Sequence, residues 1–297
     1  MIKQSRQQLE QQFADIATVT IEQAPNTADD TQLLLRINHP ACGALISVQG
    51  AQILRFAPTN NSDWLWLSEH ADFTPGAAIR GGIPVCLPWF GVNRQNPDLP
   101  KHGVARNQPW QLVDVTETRD DICLIWRLDH VADHLFGHDF RAELSIEMGK
   151  QLSLSLTIKH LGDTTAAYSF ALHSYLRANA SEVEVSGLEG NTYLDNTQGL
   201  STHTQHGNIV FDGEVDRVYA NTHQAQILHT AFPRVIEGDG CPTCIVWNPG
   251  KQLGLTMADV QTGWQDYVCV ERGAAFDDEV TLAPQTTLTA TMTLKQL

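Results

Sequence analysis

From Gln151 the run QLSLSLTIK alternates without a break: Leu152, Leu154, Leu156 and Ile158 fall on one side, Ser153, Ser155 and Thr157 on the other. A helix cannot sort side chains at that period, whereas a pleated strand does so at every step. The segment predicts a half-buried antiparallel strand. ELSIEM repeats the pattern just before it, setting Leu144, Ile146 and Met148 against Glu143, Ser145 and Glu147, and Gly149-Lys150 predicts a two-residue hairpin link. Near the end, TLTATMTL sets Leu288, Ala290, Met292 and Leu294 against threonines. Further strands are expected over residues 32–38, 45–56, 122–128, 168–177, 183–185, 226–229, 244–247 and 267–271. So many strands without amphipathic helices between them predict an all-β protein, a large β-sandwich. A helix is expected only over about residues 4–17, where Leu9, Phe13 and Ile16 recur at helical steps, closing one end of the sandwich. No composition break reads as a linker, so residues 1–297 are expected to form a single domain.

Charge narrows the partners. A formal net charge of −15 argues against nucleic acid, which needs a basic face to displace counterions, and against anionic membranes. The start MIKQSRQQLEQQFADI lacks the apolar core of a signal peptide, and no run is long enough to span a bilayer, so the expected setting is cytoplasmic. The six cysteines form no disulfide framework and are expected as free, mostly buried thiols. Cys241-Pro-Thr-Cys244 has the spacing of a zinc knuckle or redox pair, but no second such pair accompanies it.

Against that acidic background, residues 80–110 stand out. RGGIPVCLPWFGVNRQNPDLPKHGVARNQPW carries Arg80, Arg94, Lys101 and Arg106 against Asp98 alone, with Val85, Leu87, Trp89 and Phe90 as apolar anchors. A loop combining anchors with cationic heads predicts a binding loop for an anion.

The twelve histidines divide unevenly. His130, His134 and His138 recur at four-residue steps, but Gly137 and the flanking strands favour a polar loop over a metal-binding helix face. His203, His206, His223 and His229 are expected in solvated polar connections. His102 lies inside the basic loop, and His173 sits in the apolar run YSFALHSYLRA, where a buried imidazole needs a partner. In DYVCVERGA, strand alternation puts Tyr267, Cys269 and Glu271 on one face and Val268, Val270 and Arg272 on the other. A desolvated Glu271 would have a raised pKa and could act as a base or acid, or simply cap a strand end.

Taken in order, RGGIPVCLPWFG, HGVARNQPW, ALHSYLR, EVDRVY and VCVERG resemble the hexose-6-phosphate mutarotase branch of the aldose 1-epimerase-like superfamily, over about residues 40–295. The resemblance implies a galactose-mutarotase-like β-supersandwich with a sugar site on its concave face. Carried over by motif, His173 matches the family's general acid, Glu271 its general base, Asp216 a sugar-hydroxyl ligand and His102 a second site histidine. Arg80 and Arg106 match the arginines that bind the 6-phosphate, with Lys101 beside them at a position that varies. Arg272 follows the glutamate where proline is common in the family and is expected to point away from the site.

The implied activity is interconversion of α and β anomers of hexose 6-phosphates, glucose 6-phosphate among them. One carboxylate and one imidazole suffice to open and reclose a hemiacetal, so no metal or other cofactor is expected. Guanidinium groups give bidentate bonds to phosphate. The chain is expected to act as a monomer on a small-molecule sugar phosphate. The rivals are a non-catalytic sugar-phosphate-binding protein, a mutarotase of another aldose, and a hydrolase or lyase, which would need Asp216 as its second carboxylate or a metal.

Overall fold

The alternating strands assemble into one antiparallel sheet. In this computed structural model, which describes residues 4–28 and 30–297, that sheet runs in the order Glu184–Ser186, Gln224–Leu228, Arg234–Asp239, Thr287–Gln296, Leu152–His160, Phe140–Met148, Ile122–His130 and Gln111–Glu117. The first three residues of the N-terminal run and Asp29 lie outside the described residues. A second sheet is ordered Ser201–Thr204, Thr192–Asp195, Val215–Tyr219, Thr243–Asn248, Tyr267–Ala274, Phe170–Leu172 and Val85–Cys86, with Tyr175–Arg177 also pairing on Tyr267–Ala274. A smaller sheet joins Val19–Gln23, Leu33–His39, Cys42–Ser47 and Gln52–Pro58.

One hydrophobic cluster binds these layers. Leu152, Leu154 and Leu156 of one sheet and Val246, Val268 and Val270 of the other belong to it, as do Leu9 and Phe13 of the N-terminal segment. The architecture is mostly strand, as the alternation predicts. Among the described residues no helix is long and apolar enough to cross a membrane. All six cysteines are free.

Several sequence expectations are corrected. The helix covers Arg6–Gln12 rather than residues 4–17: Ser5 and Gln8 form a capping box, and Phe13 leaves helical geometry to bury its ring. The link after Met148 holds Gly149, Lys150 and Gln151, because the register pairs Met148 directly with Leu152. Residues 45–56 are two strands, since Gly50 and Ala51 take positive φ and turn the chain, bringing Gln52 back opposite Ser47. Residues 168–177 are interrupted at Ser169 and at His173-Ser174. His203 lies on a strand rather than in a loop, its Nε2 2.8 Å from the Ser201 hydroxyl.

Candidate active site

The interruption at His173 is where the site begins. Leu172 pairs with Arg272 and Tyr175 with Cys269, so the two residues between them, His173 and Ser174, lie opposite Glu271 and Val270. The Ser174 hydroxyl donates to the Val270 carbonyl and the His173 amide donates to Pro84 O at 3.0 Å. The backbone is thereby held while the imidazole is turned onto the carboxylate. His173 Nδ1 stands 3.3 Å from Glu271 Oε1, with both side chains buried.

Register extends the floor from this pair. Ile245 lies beside Glu271 and Val218 beside Ile245, forming a row that ends at His173. Two residues along, Asp216, Trp247, Cys269 and Tyr175 form a parallel row on the same face. The Tyr175 ring stacks on His173 at 4.7 Å and 6°, and Trp247 meets the imidazole edge-on at 6.2 Å. These contacts fix the ring's plane. Arg272, on the opposite face as expected, donates instead to Thr222 Oγ1, Thr222 O and Cys241 O in the core.

The basic loop forms the wall. Val85–Cys86 pairs with Phe170–Leu172, and Val85, Leu87 and Trp89 are buried anchors. His102 takes a left-handed φ of 67°, and Gly103 follows at 71°, so close to the opposing chain that a Cβ there would lie 2.1 Å from Leu87 O. This bend delivers the His102 ring to the cleft, 5.5 Å from His173. The Gly91 amide donates to His102 Nδ1 at 3.3 Å, leaving the proton of the neutral ring on Nε2. Burial, then the charges of Arg106, Arg80 and Lys101, push His102 down to about 3, so it is neutral and a hydrogen-bond donor.

The cleft measures about 1110 Å³, and Arg80, Lys101, His102, Arg106, His173, Asp216 and Glu271 all line it. Their local partners differ. Arg80 is tethered, Nε to Asp259 at 2.8 Å and Nη1 to the Tyr175 hydroxyl at 2.9 Å. Arg106 spends Nη2 on Lys101 O at 3.0 Å and leaves its buried Nε unpartnered. Asp216 accepts from Asn196 at 2.7 Å, and burial together with Glu214 and Asp195 pushes its carboxyl up to about 6. Burial drives the central pair toward neutral forms: His173 is pushed well down, helped by His102 and Arg106, and Glu271 well up, helped by Asp216. A neutral imidazole beside a neutral carboxyl, with His173 Nδ1 and Glu271 Oε2 unpartnered, is a state fit for exchanging protons with a bound hydroxyl.

Sequence reasoning missed Trp247, Asn196 and Asp259, whose places come from register and long-range contacts. Arg94 was counted in the basic loop but not in the site; it lies 4.8 Å over the Phe276 ring at the cleft. His130 Nε2 bonds Phe136 O at 3.1 Å, and the 131–139 segment is a loop rather than a helix. Cys241 and Cys244 are buried thiols packed against Arg272.

Residues 33–295 match the profile of the aldose 1-epimerase family. The chain is 34% identical over 254 residues to a candidate glucose-6-phosphate 1-epimerase of Escherichia coli K12, covering 83% of this chain and 84% of that one. A candidate glucose-6-phosphate 1-epimerase of Cenchrus ciliaris is 35% identical over 260 residues, 82% of this chain and 78% of that one. The crystal structure of a candidate mutarotase of Salmonella typhimurium superposes with a TM-score of 0.84 at 28% identity, covering 95% of this chain and 98% of that one.

Proposed function

The chain belongs to the aldose 1-epimerase family, and on that premise we propose that it interconverts the α and β anomers of hexose 6-phosphates, glucose 6-phosphate first among them. The observation that carries the chemistry is the buried His173–Glu271 pair at 3.3 Å on the floor of a cleft walled by cations. With a sugar bound, Glu271 as carboxylate takes the proton of the anomeric hydroxyl while His173 as imidazolium gives its proton to the ring oxygen. The bond from C1 to the ring oxygen breaks, and the free aldehyde forms. Both protein groups are then neutral, the state that burial favours, so the desolvated site stabilises the opened sugar. Rotation about the C1–C2 bond and the reverse transfers close the ring on the other face. No proton is gained or lost overall, and the reading calls for no metal or other cofactor.

Asp216 accepts from sugar hydroxyls and His102 donates to one through Nε2. Arg106, with its unpartnered Nε, and Lys101 receive the 6-phosphate, and Arg80 adds charge from its tethered position. In this reading the whole chain works as one domain, since the cleft draws on residues from Arg80 to Glu271, and it acts as a monomer in the cytoplasm.

Exchange NMR between the anomeric signals of glucose 6-phosphate, and separately of glucose, tests the proposal. The enzyme should accelerate exchange of the phosphorylated sugar most. Arg106→Ala should lower kcat/KM on glucose 6-phosphate about ten- to a hundredfold and leave glucose unchanged, the loss of one charge-assisted contact. Equal loss on both sugars would remove Arg106 from the phosphate. Binding of glucose 6-phosphate without accelerated exchange would make the chain a sugar-phosphate-binding protein instead.

A further inference from the structure

The anomerisation proposed above uses His173 and Glu271 and leaves their neighbour Cys269 idle. Cys269 sits two residues before Glu271 on the same strand face, fully buried beneath Trp247 and Tyr175. One ligand atom each from His173, Cys269 and Glu271 lie within 4.8 Å of one another, the one such trio of its kind among the described residues. From this geometry we propose that the three residues form a site for a single thiophilic divalent cation of the zinc class, whose binding withdraws the acid and base and shuts the enzyme off.

Three independent observations support the site. First, the spacing suits the ion: a tetrahedral zinc with bonds of about 2.0–2.3 Å places its ligands about 3.3–3.8 Å apart. His173 Nδ1 and Glu271 Oε1 already stand at 3.3 Å, and the Cys269 sulfur lies within 4.8 Å of its partners' ligand atoms, at most about 1 Å beyond that range. Second, ligand atoms are waiting, since His173 Nδ1 and Glu271 Oε2 are buried without any hydrogen-bond partner. Third, charge balances: a dication, one carboxylate, one thiolate and a neutral imidazole sum to zero, which a desolvated pocket tolerates far better than any lone ion. The Cys269 thiol proton and the Glu271 carboxyl proton both leave to solvent as the sulfur–metal and oxygen–metal bonds form. Entry is through the cleft that His173 and Glu271 line, and a water from the cleft completes the tetrahedron. Thiolate and imidazole select zinc-like ions over magnesium or calcium, which prefer all-oxygen shells.

Binding and inhibition are read separately, because inhibition rests on the assigned acid/base roles and binding does not. Cobalt(II) titrated into the metal-stripped full chain should bind one equivalent, with a thiolate charge-transfer band and the strong visible bands of four-coordinate cobalt. Cys269→Ser should abolish the charge-transfer band, and Cys241→Ser, which tests the other cysteine pair, should keep it. Zinc should inhibit anomer exchange of glucose 6-phosphate and magnesium should not. Cys269→Ser should keep the zinc-free rate within about twofold and raise the inhibitory zinc concentration at least about tenfold, the effect of losing one ligand. Absence of the band in wild type, or its survival in Cys269→Ser, overturns the site. Activity lost on chelation and restored by zinc overturns the inhibitory role. Should Cys269→Ser fail to fold by circular dichroism, His173→Ala decides: it must weaken cobalt binding at least about tenfold, and unchanged affinity overturns the site. Failure of every arm to anomerise sugar counts against the proposed function, while the cobalt titration still decides the site.

Discussion

Strand Leu152–His160 buries every second side chain, whereas all eight residues of Tyr267–Ala274 are buried. Both are antiparallel and central in their sheets. The first sends leucines into the core and hydroxyls outward, where Thr291 Oγ1 lies 3.0 Å from Ser155 Oγ and Thr157 Oγ1 lies 3.1 Å from Thr289 Oγ1. The second is covered on both faces: Val268 and Val270 join the core, while Tyr267 and Cys269 pack among the aromatic rings of the floor and Glu271 lines the cleft. Polar groups there are buried and depend on protein partners or on a bound ligand. Arg272 donates through Nη1 and Nη2 to three protein oxygens, while its Nε, His173 Nδ1 and Glu271 Oε2 are left open. The outer strand carries stability and spends nothing on chemistry; the inner one holds unsatisfied groups that a substrate can complete.

Substitutions can break this division, and the largest effect belongs to the inner strand. Glu271→Gln should lower kcat about 10²- to 10⁴-fold, the range for losing a positioned acid or base, with no fall in melting temperature, because the amide removes a buried ionisable group. Paired kinetics and thermal denaturation check this, and a large stability loss with modest kinetic loss would reverse the assignment. Leu154→Ala in the outer strand should do the opposite, costing about 2–5 kcal/mol of stability in a denaturant titration while kcat at room temperature stays unchanged.

The cleft should also carry a pH signature that the outer sheet lacks. Burial first, then Glu214 and Asp195, push Asp216 up to about 6, so it is a carboxylate above that pH and a neutral acid below it. The charged form is the stronger hydroxyl acceptor. The ratio of wild-type to Asp216→Asn kcat/KM on glucose 6-phosphate should therefore fall as pH drops through about 6, the substrate's own titration cancelling. A flat ratio would remove Asp216 from sugar binding. Smallest of all, Thr157→Val on the exposed face of the outer strand should change stability by no more than about 0.5 kcal/mol and leave exchange rates untouched.

The two regions were unequally legible. Alternation located Leu152–His160 and Phe140–Met148 because each has one wet and one dry face, so burial is written into every second letter. Thr192–Asp195 and Ser201–Thr204 escaped because they bury little and show no contrast. Val215–Tyr219 carries the EVDRVY motif but showed no strand alternation in the sequence. At the site, the positions of His173, Glu271, Asp216, His102, Arg80, Arg106 and Lys101 came from ordered motifs, and all seven line one cleft. Trp247, Asn196 and Asp259 carried no local signal, since their contacts are to residues far along the chain.

By itself the sequence determined the strand-rich class, the inward-facing residues of the outer sheet, the faces of the strand holding Glu271, and a cationic loop in an acidic chain. Periodicity and composition are local properties, and local sterics read them directly. Only the tertiary structure decided that Leu172 pairs with Arg272, which sets His173 against Glu271 at 3.3 Å and brings Cys269 beside them. It alone tethered Arg80 to Asp259 and turned His102 into the cleft. Register, burial and the resulting shifts in proton affinity are sums over many distant contacts, and no single stretch of the chain contains them.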